Sequence, residues 1–272
     1  MRRKSRQPVL PPAPPLARGL VGAWLFCEGC GATVRDYSGR GRHGALVNMD
    51  PAGDWAVTRY GPALDFDGDG DRIDLDGPVV LPDDTPWTIA FRVYLDSFST
   101  YDGFFGHDYV PTKYSRCVGQ AGDGWVTLAN DANEITVWSV AGYATGQWIE
   151  LMITADGKDA GNLELWINGV SQGTKTRPDS SLTIRRLATY SPSGGDRGFD
   201  GRMDYFCIWR GVKLRPVDRR DPLAMFRPRR PAIRVGPAAP GPYGVAAAGV
   251  WHPGAAAGQL FTTGQTAGEI HG

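Results

Sequence analysis

The sequence predicts an all-β protein made of two packed antiparallel sheets. Between about Leu20 and Leu214 it is a series of short apolar runs rich in β-branched and aromatic residues, punctuated by Gly, Asp, Asn and Pro. No stretch there carries the 3.6-residue apolar period of an amphipathic helix. About a dozen strands without helices to cover them must bury their apolar faces on one another, which means sheet against sheet.

Residues 1–18 read as an extended arm. They open with a basic tip, "MRRKSR", and pass into "PPAPP", which favours polyproline geometry. The same prolines break any signal-peptide core. The strand candidates then follow in order from residue 19 to residue 214. The first group is "LVGAWLF" (20–26), "ALDFD" (63–67), "DRIDLD" (71–76) and "WTIAFRVYL" (87–95). After them come "WVTLA" (125–129), "EITVWSV" (134–140), "WIELMITA" (148–155), "NLELWING" (162–169), "LTIRRLA" (182–188) and "RMDYFCIW" (202–209). In "NLELWING", Leu163, Leu165 and Ile167 face one way while Glu164, Trp166 and Asn168 face the other. Asn168-Gly169 suits a two-residue hairpin turn, because both central positions need positive φ.

Beyond the strands the composition changes. Residues 215–239 form an Arg/Pro-rich connector in which "DPLAMF" (221–226) has the length of one helical turn. Residues 240–272 are rich in Gly and Ala with a period near ten: "VWHPGAAAGQ", "LFTTGQTAGE" and a truncated "IHG". The apolar openings of these units, Val250, Trp251, Leu260, Phe261 and Ile270, are the candidate assembly residues. One copy cannot bury a core of its own, so order is expected from stacking against other subunits or a larger particle.

Composition narrows the function. Hydrophobic residues at 42%, with 9 Trp, 10 Tyr and 10 Phe, are enough for a sizeable core. Lys plus Arg and Asp plus Glu both total 29, so no global field steers the chain toward nucleic acid or an anionic membrane. The basic ends lack the motifs of nucleic-acid readers and read as solvated or subunit-contacting segments. No run approaches the roughly 18 apolar residues of a membrane span. Four Cys in 272 residues are too few for a disulfide scaffold.

Four motifs in sequence order carry a family resemblance. "GLVGAWLFCEGCGATVRDYSGRGRHGAL" has a Gly-Leu-Val-x-x-Trp-x-Phe-like strand, an acidic Gly-rich turn, and the Asp36, Ser38, Gly39, Gly41, Gly44 loop. "GPALDFDGDGDRIDL", "GQWIELMITADGKDAGNLELWINGVSQGT" and "FDGRMDYFCIWRGVKL" follow. Over about residues 19–214 the chain resembles the laminin G-like, concanavalin A-like jelly-roll family. The resemblance implies a two-sheet antiparallel jelly-roll sandwich whose first and last strands pair, with Trp24 and Phe26 near Tyr205 and Cys207. It also implies a loop in which Asp36 accepts backbone hydrogen bonds, a role short carboxylates suit. Many such relatives hold calcium at the sandwich edge through a carboxylate of the closing strand. Asp204 is the matching position, with Glu28 or carbonyls of the first loop completing the shell. The exit "RGVKLRPVDRRDPLAMFRPRRP" resembles that of laminin G-like domains encoded by tailed bacteriophages and prophages.

The chemistry-bearing residues divide accordingly. Cys27 and Cys30 have neither the second ligand pair of a structural zinc site nor the helix N-terminus of a redox dithiol. They read as turn residues, with a Cys27–Cys30 or Cys27–Cys207 disulfide as the alternative. The run "DFDGDGDRIDLD" lacks the closing Glu and flanking helices of an EF-hand and reads as a polar-out strand with a tight turn. No paired carboxylates with glycosidase spacing and no nucleophile elbow occur, so an enzyme is not expected. Glycan binding needs aromatic platforms with convergent polar groups, and Tyr101, His107, Asp108, Tyr109, Tyr114 and Tyr143 are the candidates. The expectation is a non-enzymatic virion surface protein, made in a bacterial cytoplasm, that displays a lectin-like domain as decoration or fibre. Its expected partners are other virion proteins, further copies of itself and a host-surface glycan, and its cofactor, if any, is calcium. A free-standing carbohydrate-binding module is the alternative, and a glycoside hydrolase a more distant one.

Overall fold

Alternation of buried and open side chains determines which surfaces meet. In "WTIAFRVYL", Ile89, Phe91, Val93 and Leu95 are fully buried, while Arg92 and Tyr94 between them remain partly open. The computed structural model describes residues 18–97, 102–107, 115–120, 124–140, 144–157, 162–190 and 198–216. In chain order the strands are β1 (Leu20–Trp24), β2 (Thr33–Val34), β3 (Gly44–Val47), β4 (Trp55–Thr58), β5 (Gly61–Asp67), β6 (Arg72–Leu81), β7 (Trp87–Leu95) and β8 (Asp102–Gly106). They continue with β9 (Arg116–Gln120), β10 (Trp125–Ala129), β11 (Ile135–Ser139), β12 (Trp148–Ala155), β13 (Asn162–Ile167), β14 (Val170–Thr176), β15 (Leu182–Leu187) and β16 (Asp200–Arg210). Among the described residues no helix is long and apolar enough to cross a membrane.

Two antiparallel sheets result. One runs β14-β13-β12-β7-β16-β5-β4, with β1 also paired to β16; the other runs β11-β10-β9-β8-β15-β6-β3-β2. Their inner faces meet in an aromatic core. Phe91 stacks on Phe206 at 5.3 Å and lies tilted against Phe104 at 5.3 Å, and Phe66 meets Phe199 at 5.2 Å. Rings at these separations gain from offset and edge-on contacts beyond the apolar area they bury.

The entry loop is built as its residues require. Asp36 accepts N–H groups from Ala23 (3.1 Å), Ser38 (2.8 Å) and Arg42 (3.0 Å), and Trp24 Nε1 donates to the Arg42 carbonyl at 2.8 Å. The β13–β14 hairpin turns at Asn168 (φ 50°) and Gly169 (φ 80°), the two positive values that its turn demands. In the acidic run, Asp67, Gly68, Gly70 and Asp71 make the turn between β5 and β6. Asp65 pairs with Arg202, and Asp74 with Arg72 and Arg186.

Three expectations are corrected. The first and last strands do pair, but Trp24 faces Phe206 rather than Tyr205 or Cys207, at 6.2 Å between rings. A β-bulge at Asp204 and Tyr205 is the reason. It puts two consecutive residues opposite Arg92, so Phe206 and Ile208 point inward while Tyr205, Cys207 and Trp209 join a second apolar cluster on the outer face. A Cys27–Cys207 disulfide does not fit the same register: Cys207 is buried against Ala90 and Ala23, Cys27 is exposed with its thiol donating to the Tyr37 hydroxyl at 3.1 Å, and no disulfide joins any of the four cysteines, Cys27 and Cys30 included. Third, the stretch between "WTIAFRVYL" and "WVTLA", where the sequence offers no strand candidate, contains β8, whose Phe104 and Phe105 are fully buried core residues.

Six strands escape the sequence pattern: β2, β3, β4, β8, β9 and β14. β8, "DGFFG", contains Gly103 and Gly106, which carry no side chain to signal a strand. β14, "VSQGTKT", is an exposed edge strand with no buried face to alternate.

Candidate functional site

The outer face of the β7–β12–β16 sheet carries what the core pattern leaves over. Even-numbered residues of β7 and β12, Arg92, Tyr94, Trp148 and Glu150, point outward because their odd-numbered neighbours fill the core. The turn between β4 and β5 brings Tyr60 onto this face. Its ring lies edge-on to Trp148 at 5.7 Å, and Tyr94 lies tilted against Trp148, also at 5.7 Å. Beside these rings an open groove of about 430 Å³ is lined by Val57, Thr58, Arg59, Tyr94, Gly146, Gln147, Trp148 and Arg202. The Gly146 N–H donates to the Leu95 carbonyl at 2.9 Å and ties the loop before β12 to the end of β7.

Guanidinium groups and rings alternate on this surface. Arg92 Cζ is 3.9 Å from the Tyr60 centroid, 5.5 Å from that of Tyr205 and 5.7 Å from that of Trp148. Arg59 lies 4.7 Å from Tyr60, and Arg202 5.4 Å from Tyr94. Each is close enough for a cation–π attraction. Arg202 also bonds Asp65 (3.2 Å) and Asp96 (3.3 Å), so two carboxylates share one cation at the groove's edge. Burial pushes the Asp65 carboxyl up; Arg202 pulls it back, while Asp96 and Asp200 push it up further.

Next to Trp148 lies a buried ion pair. Arg92 Nε donates to both Asp204 oxygens at 3.0 Å, and its Nη2 donates to Asp204 Oδ2. Asp204 is 2% exposed. Burial pushes its carboxyl up, and Arg92 pulls it back. Burial also opposes the Arg92 charge, but the Asp204 carboxylate outweighs it and holds Arg92 protonated. Beside the pair, the Tyr205 hydroxyl donates to Glu150 Oε2 at 2.9 Å.

The calcium expectation does not fit this geometry. Both Asp204 oxygens are engaged by Arg92. Glu28 belongs to another network, where its Oε1 accepts from the Arg35 N–H (2.9 Å) and the Tyr37 hydroxyl (3.4 Å). Glu28 Oε2 has no hydrogen-bond partner, but one free oxygen is far from the 6–8 that calcium takes. Among the described residues no group of three or more His, Cys, Asp or Glu is placed to hold a metal ion.

Of the six glycan candidates, only His107 falls among the described residues. It follows β8 of the opposite sheet, its N–H donates to the Ser115 carbonyl at 2.9 Å, and it does not line the groove. Tyr101, Asp108, Tyr109, Tyr114 and Tyr143 lie outside the described residues, as do Val250, Trp251, Leu260, Phe261 and Ile270. Tyr60, Tyr94, Trp148 and Arg202 are not among the residues the sequence singles out, because they come from separate elements that only the fold brings onto one surface. The available signal was parity: Tyr94 and Trp148 occupy the polar phase of their strands.

Comparison with known proteins agrees with this architecture. Residues 67–215 match the laminin G-like family model described as the concanavalin A-like lectin/glucanases superfamily. No curated protein matches the chain. Among solved structures, the chain is similar to domain 4 of AbnA, a GH43 extracellular arabinanase from Geobacillus stearothermophilus, in complex with arabinotriose. That match has a TM-score of 0.53 and 21% identity, and covers 72% of this chain and 94% of that one. It is also similar to the binding domain of Paraclostridial Mosquitocidal Protein 1, with TM-score 0.55, 14% identity, and coverage of 75% and 51%. The ligand binding domain of botulinum neurotoxin serotype D, in complex with N-acetylneuraminic acid, matches with TM-score 0.53, 13% identity, and coverage of 74% and 50%. The chain thus spans about half the length of the two toxin domains.

Proposed function

We propose that this chain, which belongs to the concanavalin A-like lectin/glucanases superfamily, is a non-enzymatic glycan-binding protein whose ligand lies in the groove beside Tyr94, Trp148 and Arg202. The observation that carries this reading is the groove itself: aromatic rings on the outer sheet face, bordered by Arg202, Asp65 and Asp96. A sugar ring presents an apolar C–H face and a rim of hydroxyls, and this surface offers a partner for each. Binding rather than hydrolysis is favoured because Asp65 and Asp96 are both tied to Arg202. A glycosidase would need one carboxyl free as an acid and another about 5 to 9 Å away.

A glycan array with the full-length chain, followed by titration of the best oligosaccharide, tests this. Trp148→Ala is expected to weaken binding at least about tenfold, in the range for truncating an aromatic anchor. Undiminished affinity in that variant, or no binding at millimolar sugar, overturns the reading.

The finer reading is that the domain is displayed on a virion-type particle, as decoration or fibre. It is supported by the exit sequence "RGVKLRPVDRRDPLAMFRPRRP" and by flanking segments whose composition cannot build a core of its own. Full-length chain that is monomeric, protease-sensitive in both flanks and without affinity for capsid or tail proteins would count against it. A free-standing carbohydrate-binding module would then remain.

A further inference from the structure

The carboxylate that the family resemblance assigns to calcium is already held by a cation of the chain. The bulge in β16 turns Asp204 and Tyr205 to the same side, opposite Arg92. The Arg92 fork then grips Asp204 through Nε and Nη2 while its flat face lies against Tyr60. Tyr60 meets Trp148 edge-on, so one guanidinium connects a buried carboxylate to the rings beside the groove.

We propose that Arg92 is the resident cation of this binding face, a positioning residue that holds Tyr60 and Trp148 through Asp204, so that the groove forms without a metal ion. The proposal rests on the glycan-binding reading of the groove and adds how the groove is held. A divalent ion at Asp204 would have to displace Arg92 and leave it desolvated without its counter-ion, which is strongly unfavourable. Charged or titratable groups beside the pair include Glu150 of β12, bonded to the Tyr205 hydroxyl, Tyr60 and Tyr205, whose rings face the guanidinium, and Arg59, 4.7 Å from the Tyr60 ring. Lysine cannot substitute for Arg92, because a point charge on a flexible stem neither forks onto a carboxylate nor stacks on a ring.

The test uses the full chain labelled with fluorotryptophan, with the Trp148 fluorine resonance identified by its loss in Trp148→Phe. The resonance is expected to be the same in EDTA and in millimolar calcium. Arg92→Lys is expected to displace it and to weaken the oligosaccharide about tenfold while the chain stays folded. Arg92→Met combined with Asp204→Leu removes both charges, leaves no orphan, and is expected to fold with the same displaced resonance. A resonance that moves on calcium addition or EDTA treatment, or that is unchanged in both variants, overturns the proposal. If the wild type binds no oligosaccharide, the glycan reading fails by itself, and the resonance still decides the role of Arg92.

Discussion

The Tyr60 ring lies over the Arg92 guanidinium, with 3.9 Å between ring centroid and Cζ. Tyr60 comes from a turn and Arg92 from the middle of a central strand, and both lie against Trp148, which lines the groove. Tyr60 is 42% exposed, and removing its ring should cost less than about 1 kcal/mol of stability. Its effect on binding is expected to be larger. Tyr60→Ala should lower oligosaccharide affinity about tenfold by calorimetry, while Tyr60→Phe, which keeps the ring, should stay near wild type.

Asp36 organises the entry loop by accepting three backbone N–H groups. It is 7% exposed, so alanine there leaves buried donors unpaired. Asp36→Ala is expected to destabilise by about 3 kcal/mol in urea unfolding, and Asp36→Asn by less, because its amide oxygen still accepts.

Gly201 sits on β16 with φ +143°, where an added Cβ would collide with the Tyr94 carbonyl oxygen. Neither backbone can yield without breaking the β7–β16 ladder. Gly201→Ala is expected to lose about 4 kcal/mol or more, or to fail to fold, as thermal denaturation would show.

Asp71 is buried in the β5–β6 turn, where its Oδ2 accepts the Asp67 N–H at 3.1 Å. Burial pushes its carboxyl up to about 6. A folded-state value above the unfolded one means that the contribution is fully present below about pH 4 and lost as pH rises through 6. The wild type should therefore lose stability relative to Asp71→Asn between about pH 4 and 7. The loss should be about 1 kcal/mol, because solvent near the turn screens the charge. Urea midpoints of both proteins at pH 4, 5.5 and 7 check the sign; a difference that does not change with pH rules it out.

Local features were legible in the sequence because their cause is local. Asn168-Gly169 reads as a hairpin since the required backbone angles select those residues, and Asp36 reads as a loop acceptor since its carboxylate reaches only nearby N–H groups. The strand "WTIAFRVYL" matches β7 at both ends because its buried phase is unbroken. Where side-chain signal is weak the pattern fails, as in the glycine-containing β8 and the exposed edge strand β14. The alternation of "RMDYFCIW" also misleads, because a bulge adds a residue and reverses the phase from Tyr205 onward.

The sequence by itself determined the all-β class, most of the strands, the entry loop and the family, since short-range periodicity and turn chemistry carry these. Only the tertiary structure decided the site. Tyr60, Arg92, Trp148, Arg202 and Asp204 come from three strands and one turn that are far apart in sequence, and which outward residues share a surface depends on strand order and on one bulge. That register places a guanidinium against Asp204 where the sequence pattern suggested a calcium ion.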